Sequence, residues 1–211
     1  RKELIYYAAF THQAASFSKL TEDPLCPVIN IDINTDIFWG ESSQEADMYD
    51  YLSHTEETKV FGIKVKRLTT TYDFIALCLH HYKDLNSLYL WKRGISLSTF
   101  CDIYYYLEKI PLDTQELKQI CNKLNVAEYV YCSIFQTNIV FERSKLRKCL
   151  NELVPANAKS LHKRIGLSEN QYKQLPDFIA NYAFDEHFHQ VLENLLTAEE
   201  IEQIKTNDLF L

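Results

Sequence analysis

The stretch LTTTYDFIALCLHHYKDLNSLYLWKRGISLSTFCDIYYYL, residues 68–107, carries the pattern that decides the fold. Thr70, followed three residues later by Asp73, predicts a capping box at the start of a helix. Apolar residues then recur at helical spacing: Phe74, Leu77, Cys78, Tyr82 and Leu85. Gly94 interrupts this pattern, and Ser96 or Ser98 is expected to cap a second helix. Its apolar face consists of Leu97, Phe100, Cys101, Tyr104 and Leu107. The stretch therefore predicts two buried helices that pack together.

Two polar residues, His80 and Asp102, stand out against this apolar helix pair. Because Gly94 allows the helices to fold back on each other, both side chains are expected to face one cleft, where they would serve an acceptor or a phosphate. Alternatively, His80 is a hydrogen-bonded core histidine, and Asp102 pairs with Lys92, Arg93 or a tyrosine hydroxyl. The sequence leaves both interpretations open.

The segment VINIDINTDIFW, residues 28–39, indicates a β-strand. Its β-branched residues alternate with polar ones at period two, which predicts a strand with one buried and one polar face. The buried face is Ile29, Ile31 and Ile33, and the polar face is Asn30, Asp32, Asn34 and Asp36. Further along, VFGIKVKRL, residues 60–68, predicts a bent strand or a short hairpin around Gly62.

The chain beyond Pro111 is expected to be entirely helical. Asp113 and Glu116 predict a capping box, and helical patterns follow over 126–141, 144–153, 178–196 and 197–205. The expected fold class is α+β, with a small β-sheet packed on a C-terminal helical bundle. The expected division is a β-containing part over residues 1–68 and a helical bundle over residues 69–211.

Composition limits the class of protein. With 211 residues, 46% of them hydrophobic, the chain can bury one good core or two small ones. The net charge of −7 argues against extensive contact with the phosphate backbone of nucleic acid. No apolar run has the length of a membrane span, and no signal-peptide pattern is present, so we expect a cytoplasmic protein. Six cysteines without a CxxC pair indicate reduced core thiols.

The beginning of the chain also carries information. It starts with Arg1 rather than Met and enters an apolar pattern at once, with Leu4, Ile5, Ala8 and Ala9. We therefore expect that the natural N-terminus lies upstream of Arg1.

Four short motifs together resemble a known family: Ile31-Asp32-Ile33-Asn34, Phe61-Gly62 to Leu68, Leu77-Cys78-Leu79-His80 and Cys101-Asp102-Ile103. In this order they resemble the uncharacterised nucleotidyltransferase family of the DNA-polymerase-beta-like superfamily, over roughly residues 1–140. Family members usually have His at the position of Asn34 and Trp at that of Thr35, so the strand motif is only partly kept.

The resemblance implies a specific chemistry. Enzymes of this superfamily transfer a nucleotidyl group from a nucleoside triphosphate (NTP) to an acceptor, with two Mg²⁺ ions held by carboxylates. Two carboxylates come from an Asp-x-Asp pair after a Gly-Ser turn, and a third comes from a neighbouring strand. Asp32 corresponds to this third carboxylate and is the expected metal ligand; alternatively, it is a solvated residue on the polar face of the strand. We expect His80 and Asp102 to act beside it, and Lys92 and Arg93 to bind the nucleotide.

The chain departs from the family pattern at the first two carboxylates. None of its four glycines, Gly40, Gly62, Gly94 and Gly166, begins a Gly-Ser turn followed by Asp-x-Asp. The nearest candidate, Gly40 to Ser43 with Asp47 and Asp50, has the wrong spacing. The pair either lies upstream of Arg1, as the family order favours, or has been lost.

Two functions follow from this departure. The first is a nucleotidyltransferase that acts on an unidentified small molecule, peptide or RNA. The resemblance suggests a role in bacterial peptide-tailoring clusters or toxin-like systems. Because the net charge is negative, nucleic acid is the least favoured partner. The alternative is a degenerate or split member that binds a protein partner through its apolar helices.

Overall fold

The computed structural model describes residues 17–31, 36–39, 47–88, 90–155 and 161–207, and its fold is α+β, as the sequence predicts. Helices make up most of these residues, and the described strands form three separate two-stranded antiparallel sheets. None of the described helices combines the length and apolarity that a membrane span requires.

The first sheet is a hairpin of β1 (Phe17–Leu20) and β2 (Val28–Ile31). The prediction of a strand over residues 28–39 is wrong in its length, because residues 36–39 do not belong to a strand. Residues 32–35 lie outside the described residues. The prediction that Ile29 is buried is also wrong: its side chain is 44% exposed, like its neighbours, because the hairpin lies on the surface.

The segment Asp36 to Trp39 was expected to continue that strand, but it forms a turn. Asp36 Oδ1 accepts a hydrogen bond from the Phe38 amide at 3.0 Å, and such a local bond competes with strand pairing. Phe38 and Trp39 are both buried, and Trp39 Nε1 donates to the Leu167 carbonyl at 3.0 Å. These contacts anchor the segment in the core.

The second sheet follows helix α1 (Met48–Ser53), which Asp47 caps by accepting from the amides of Tyr49 and Asp50. Strands β3 (Thr55–Val60) and β4 (Ile63–Leu68) pair along their whole length. Phe61 and Gly62 connect them, both with positive φ, at 50° and 81°. Two such residues are typical of a type I′ hairpin turn, so the hairpin predicted around Gly62 is confirmed.

The central helices are α2 (Thr70–Asn86), the short α3 (Leu90–Arg93) and α4 (Leu97–Lys109). Ser96 caps α4 by accepting from the Ser98 amide, which confirms that prediction. The capping box predicted for Thr70 and Asp73 is wrong, because Thr69 is the N-cap residue and Asp73 lies four positions after it. Asp73 Oδ2 instead accepts from the Tyr106 hydroxyl of α4 at 3.1 Å.

Three further helices complete the bundle: α5 (Thr114–Lys123), α6 (Ala127–Phe141) and α7 (Ser144–Leu153). Asp113 caps α5 by accepting from the amides of Gln115 and Glu116, as predicted. Glu116 does not complete the capping box, because its carboxylate accepts from the Thr71 hydroxyl of α2 at 2.6 Å. The pair ties α5 to the start of α2.

The expectation of helix alone beyond Pro111 is wrong. Strands β5 (Arg164–Ile165) and β6 (Lys173–Gln174) form the third sheet around a 3₁₀ turn, Glu169–Gln171. Gly166 has a φ of 118°, and a Cβ atom there would lie 2.7 Å from the Gln171 carbonyl oxygen. Only glycine fits such a closely packed turn.

The end of the chain holds α8 (Phe178–Tyr182), α9 (Phe188–Glu193) and α10 (Ala198–Asn207). The predicted single helix over residues 178–196 is thus broken into two. Asp185 lies in the break and accepts from the His187 amide at 2.6 Å. A carboxylate that bonds its own backbone in this way starts a new helix rather than continuing the old one.

Helix α2 contributes to both apolar cores of the described chain. Phe74, Cys78 and Leu79 belong to a core shared with α4 to α7, which also contains Phe38 and Trp39. Leu85 belongs to a second core, formed with Phe100, Ile165, Phe178, Leu192 and Ile204. The central position predicted for this helix is therefore confirmed. The division at residue 68 stays a prediction.

The six cysteines are free thiols, as the sequence predicts. Four of them are buried on helices: Cys78, Cys121, Cys132 and Cys149. Burial raises the pKa of Cys121 and of Cys132 to about 12, so both stay protonated and unreactive near neutral pH. Cys26 differs from the expectation of a core thiol, because it lies exposed in the β1–β2 loop.

Candidate functional site

Asp32, the carboxylate that the sequence assigns to the metal, lies outside the described residues. The chain on either side of it is described. The described part of strand β2 reaches Ile31, the residue before it, and the buried Phe38 and Trp39 follow within seven residues. Its metal contact stays a prediction.

His80 lies on the surface of α2, where its side chain is 61% exposed. Its Nε2 atom is 3.2 Å from Oδ2 of Asp84, one turn further along the helix. Partial desolvation by the surrounding chain lowers the pKa of His80, while the carboxylates of Asp84 and Asp102 act in the opposite direction. The net direction is downward, so the imidazole is mainly neutral at pH 7.

Asp102 lies on the exposed side of α4 and interacts electrostatically with His80. The structure therefore brings together the two residues that the sequence singled out. Lys83 also belongs to this group, with its Nζ atom 3.8 Å from Oδ1 of Asp84. We call these four residues, His80, Lys83, Asp84 and Asp102, the His80 cluster. A neutral imidazole flanked by carboxylates is suited to accept a proton.

Lys92 and Arg93, the expected nucleotide ligands, belong to α3. Lys92 is exposed. The carbonyl group of the adjacent Trp91 contacts Nδ1 of His189, which fixes α3 against α9. Whether the two cations meet a nucleotide stays a prediction.

The His80 cluster does not share the helix face that contacts Trp39. The rings of Trp39 and Tyr82 lie 5.2 Å apart, and Tyr82 follows His80 by two residues. Two residues correspond to about 200° around a helix, so His80 points away from that contact. The two sides of α2 therefore present different chemistry.

The Trp39 side of α2 is aromatic. Tyr129 of α6 packs against Trp39 with ring centroids 5.4 Å apart and against Tyr82 at 4.9 Å. Arg164 of β5 adds a positive charge, and its Cζ atom lies 3.6 Å from the ring centroid of Tyr172. The guanidinium also acts to lower the pKa values of Tyr82 and Tyr129, although burial raises both overall. We call these five residues the Arg164 cluster.

His81 is the buried histidine of α2. It is 2% exposed, and neither ring nitrogen has a hydrogen-bond partner among the described residues. Its ring packs edge-on against Phe100 at 5.4 Å. Desolvation lowers the pKa of His81 to about 3, so the side chain is neutral at physiological pH.

The comparison with protein families gives one match. The family described as "Uncharacterised nucleotidyltransferase" matches residues 5–142, which is more than half of the chain. The chain belongs to this family. The match covers both N-terminal hairpins and the helices up to α6, including Asp32, His80 and Asp102. The Arg164 and Tyr172 positions lie beyond it.

The other two comparisons identified no relatives of this nucleotidyltransferase family member. The search of curated proteins found no significant match, and the search of solved structures found none either.

The sequence resemblance implies a metal site, so we asked which described side chains could form one. Within the described ranges, no group of three or more His, Cys, Asp or Glu side chains is placed to hold a metal ion. The His80 cluster, with one imidazole and two carboxylates, is not such a site. Asp32, the expected metal ligand, lies outside those ranges, and its contact with Mg²⁺ stays a prediction.

Sequence reasoning missed His81 and the Arg164 cluster. His81 carries a usable signal, because it lies three residues after the buried Cys78 and four before the buried Leu85. No comparable signal marks Arg164, since its aromatic neighbours come from four distant parts of the chain, at positions 39, 82, 129 and 172.

Proposed function

We propose that this protein transfers a nucleotidyl group from a nucleoside triphosphate to an acceptor. The observation that carries the proposal is the match of residues 5–142 to the nucleotidyltransferase family. The acceptor is a small molecule, a peptide or an RNA. The net charge of −7 makes a long nucleic acid the least favourable of them.

In the proposed reaction, an acceptor oxygen attacks the α-phosphorus of the nucleotide. The bond from that phosphorus to the oxygen bridging to the β-phosphate breaks, and pyrophosphate leaves with the bond electrons. The acceptor proton passes to a base. Bound Mg²⁺, for which Asp32 is the proposed ligand, would neutralise charge on the triphosphate.

His80 is the proposed base. Three features support this role: its lowered pKa keeps it neutral, Asp84 holds its Nε2 atom at 3.2 Å, and Asp102 stabilises the charge after protonation. Its exposed position leaves room for an acceptor. Lys92 and Arg93, on the neighbouring α3, are proposed to contact the triphosphate.

Thermal unfolding with and without ligand tests nucleotide binding. Mg²⁺ with an NTP is expected to raise the melting temperature, because a ligand that binds only the folded state stabilises it. Asp32→Asn is expected to abolish the increase. Asp177→Asn, an equivalent change at an exposed position before α8, serves as the control and is expected to keep it.

Two results would count against the proposal. An unchanged increase in Asp32→Asn removes Asp32 from the site. An absence of any increase in the unmodified protein, with each of the four NTPs, contradicts nucleotide binding and favours the alternative of a degenerate member that binds a protein partner.

A further inference from the structure

Arg164 is a half-buried cation without an anionic partner in the described part of the chain. No carboxylate of the described residues lies within ion-pair distance, and its buried Nε atom has no hydrogen-bond acceptor there. Some other cations of the described chain are paired, as Lys123 is with Asp50 at 2.7 Å and Lys173 with Glu200 at 2.8 Å. Removing a charge from water without a partner is costly, so this position calls for an anion.

The surroundings of Arg164 strengthen any such contact. Its guanidinium stacks on Tyr172, and the rings of Tyr82, Tyr129 and Trp39 pack against one another beside it. Aromatic walls exclude water and lower the local dielectric constant, which makes a charge-assisted hydrogen bond stronger than at an open surface. Arg164, Tyr129 and Tyr172 remain partly exposed, so solutes can reach the edge of the cluster.

A second unsatisfied polar group lies next to β5. Asn86 is 1% exposed and follows Tyr82 by one helical turn, on the same face of α2. Its carbonyl accepts from the amide of Gly166, two residues after Arg164, at 2.8 Å. Its side-chain Oδ1 atom has no donor among the described residues. Counting only described partners, an unpaired donor, Arg164 Nε, and an unpaired acceptor, Asn86 Oδ1, therefore lie where α2 and β5 meet.

We propose that the Arg164 cluster binds the oxyanion group, a phosphate or a carboxylate, of a small organic molecule. The planar guanidinium donates paired hydrogen bonds to the oxyanion, a geometry that both groups match. The apolar or aromatic body of the ligand packs against Tyr129 and Tyr172. This site lies on the side of α2 opposite His80, and its binding does not depend on the transfer reaction.

Isothermal titration calorimetry with phenyl phosphate and with benzoate tests the proposal. The unmodified protein is expected to bind at least one of the two probes, and neutral benzyl alcohol is expected to bind at least tenfold more weakly. Arg164→Gln is expected to lose at least tenfold in affinity. Arg164→Lys keeps the positive charge but not the planar guanidinium that donates paired hydrogen bonds, so it should lose severalfold in affinity.

Arg147→Gln is the matched control, because Arg147 is 60% exposed and contacts only Glu142, at 3.6 Å, among the described ion pairs. Its affinity for the probes is expected to equal that of the unmodified protein. Tyr172→Leu, which retains the cation and removes the stacked ring, provides a further variant if Arg164→Gln does not fold. It is also expected to lose affinity.

The outcomes separate clearly. Binding of phenyl phosphate alone assigns the site to phosphate-bearing ligands, and binding of benzoate alone assigns it to carboxylates. Equal affinity in the unmodified protein, Arg164→Lys and Tyr172→Leu would overturn the proposal, as would the absence of binding of both probes to the unmodified protein.

Discussion

His80 and His81 are adjacent in the sequence but have opposite environments. His80 is exposed and contacts Asp84, whereas His81 is 2% exposed and lacks a hydrogen-bond partner in the described chain. The difference follows from helix geometry, because adjacent residues point about 100° apart. His80 is the proposed base of the transfer reaction, and His81 is expected to make stability depend on pH.

Stability is expected to fall as the pH decreases from about 6.5 towards 3. The unfolded chain protonates His81 near its ordinary pKa of 6.5, but the folded chain protonates it only at about 3. The unfolded state thus binds more protons between these values, so acid favours it. The contribution of His81 corresponds to about 2 kcal/mol between pH 7 and pH 5. Urea unfolding over this pH range measures it.

His81→Leu should remove this pH-dependent contribution and be no less stable at pH 7, because it replaces an unsatisfied polar group with an apolar one. His187→Gln, at a position 60% exposed, is the control and should retain the slope of the unmodified protein. An unchanged slope in His81→Leu would show that His81 is not a buried neutral group.

Substitutions in the His80 cluster should affect activity rather than stability. Once an acceptor is found, His80→Ala and Asp102→Asn are expected to lower turnover by about a hundredfold or more, as is typical of a positioned proton-transfer group. Since both side chains are exposed, the free energies of unfolding in urea should stay within about 0.5 kcal/mol of that of the unmodified protein. His187→Ala is the control. Full turnover in both variants would exclude the cluster from the reaction.

Among the elements, the β3–β4 hairpin stands out by the strain at its tip. Phe61 is fully exposed and has a φ of 50°, a left-handed conformation that bulky residues rarely adopt. Neither packing nor backbone preference favours phenylalanine at this position. The turn type that the backbone adopts prefers Asn before Gly62.

Phe61→Asn is therefore expected to stabilise the protein by about 1 kcal/mol, because Asn tolerates the left-handed conformation. For a chain of this size, that corresponds to an increase of about 2–4 °C in melting temperature. Leu25→Asn is the matched control, since Leu25 is 94% exposed but has no positive φ. Calorimetry should show an increase for Phe61→Asn alone; equal shifts in both variants would assign the effect to exposure rather than to backbone strain.

The elements that the sequence predicted well are those whose signals are local. Helices α2 and α4 follow from apolar periodicity, and Ser96 and Asp113 form the expected caps. Strands β5 and β6 have two residues each, too few to show a period. The turn at Asp36 and the break at Asp185 depend on hydrogen bonds from backbone amides to these carboxylates. The sequence alone does not show which carboxylates form such bonds.

The candidate site was predictable in part for the same reason. His80 and Asp102 could be singled out as polar residues on apolar helices, but their exposure depends on how the helices pack. The Arg164 cluster depends entirely on tertiary contacts, which bring Trp39 and Arg164 to one side of α2. Asp32 is assigned by family resemblance alone.

At the scale of the whole molecule, α2 separates two surfaces. One carries the His80 cluster, within the region that matches the nucleotidyltransferase family. The other surface combines residues inside and beyond the matched region, since Trp39 donates to the carbonyl of Leu167, which lies beyond residue 142. The C-terminal hairpin thus contacts the segment Asp36 to Trp39, and the matched region does not form this surface alone.

The transfer of an isotopic label tests the central claim, nucleotidyl transfer, most directly. The protein is incubated with Mg²⁺, a source-cell extract freed of nucleotides and each NTP, labelled with ³²P at the α or at the γ position. Transfer of the α label into an extract component, with the γ label released as pyrophosphate, is the expected result, and Asp32→Asn should abolish it. The γ label in the acceptor, or no transfer from any of the four NTPs, would contradict the account.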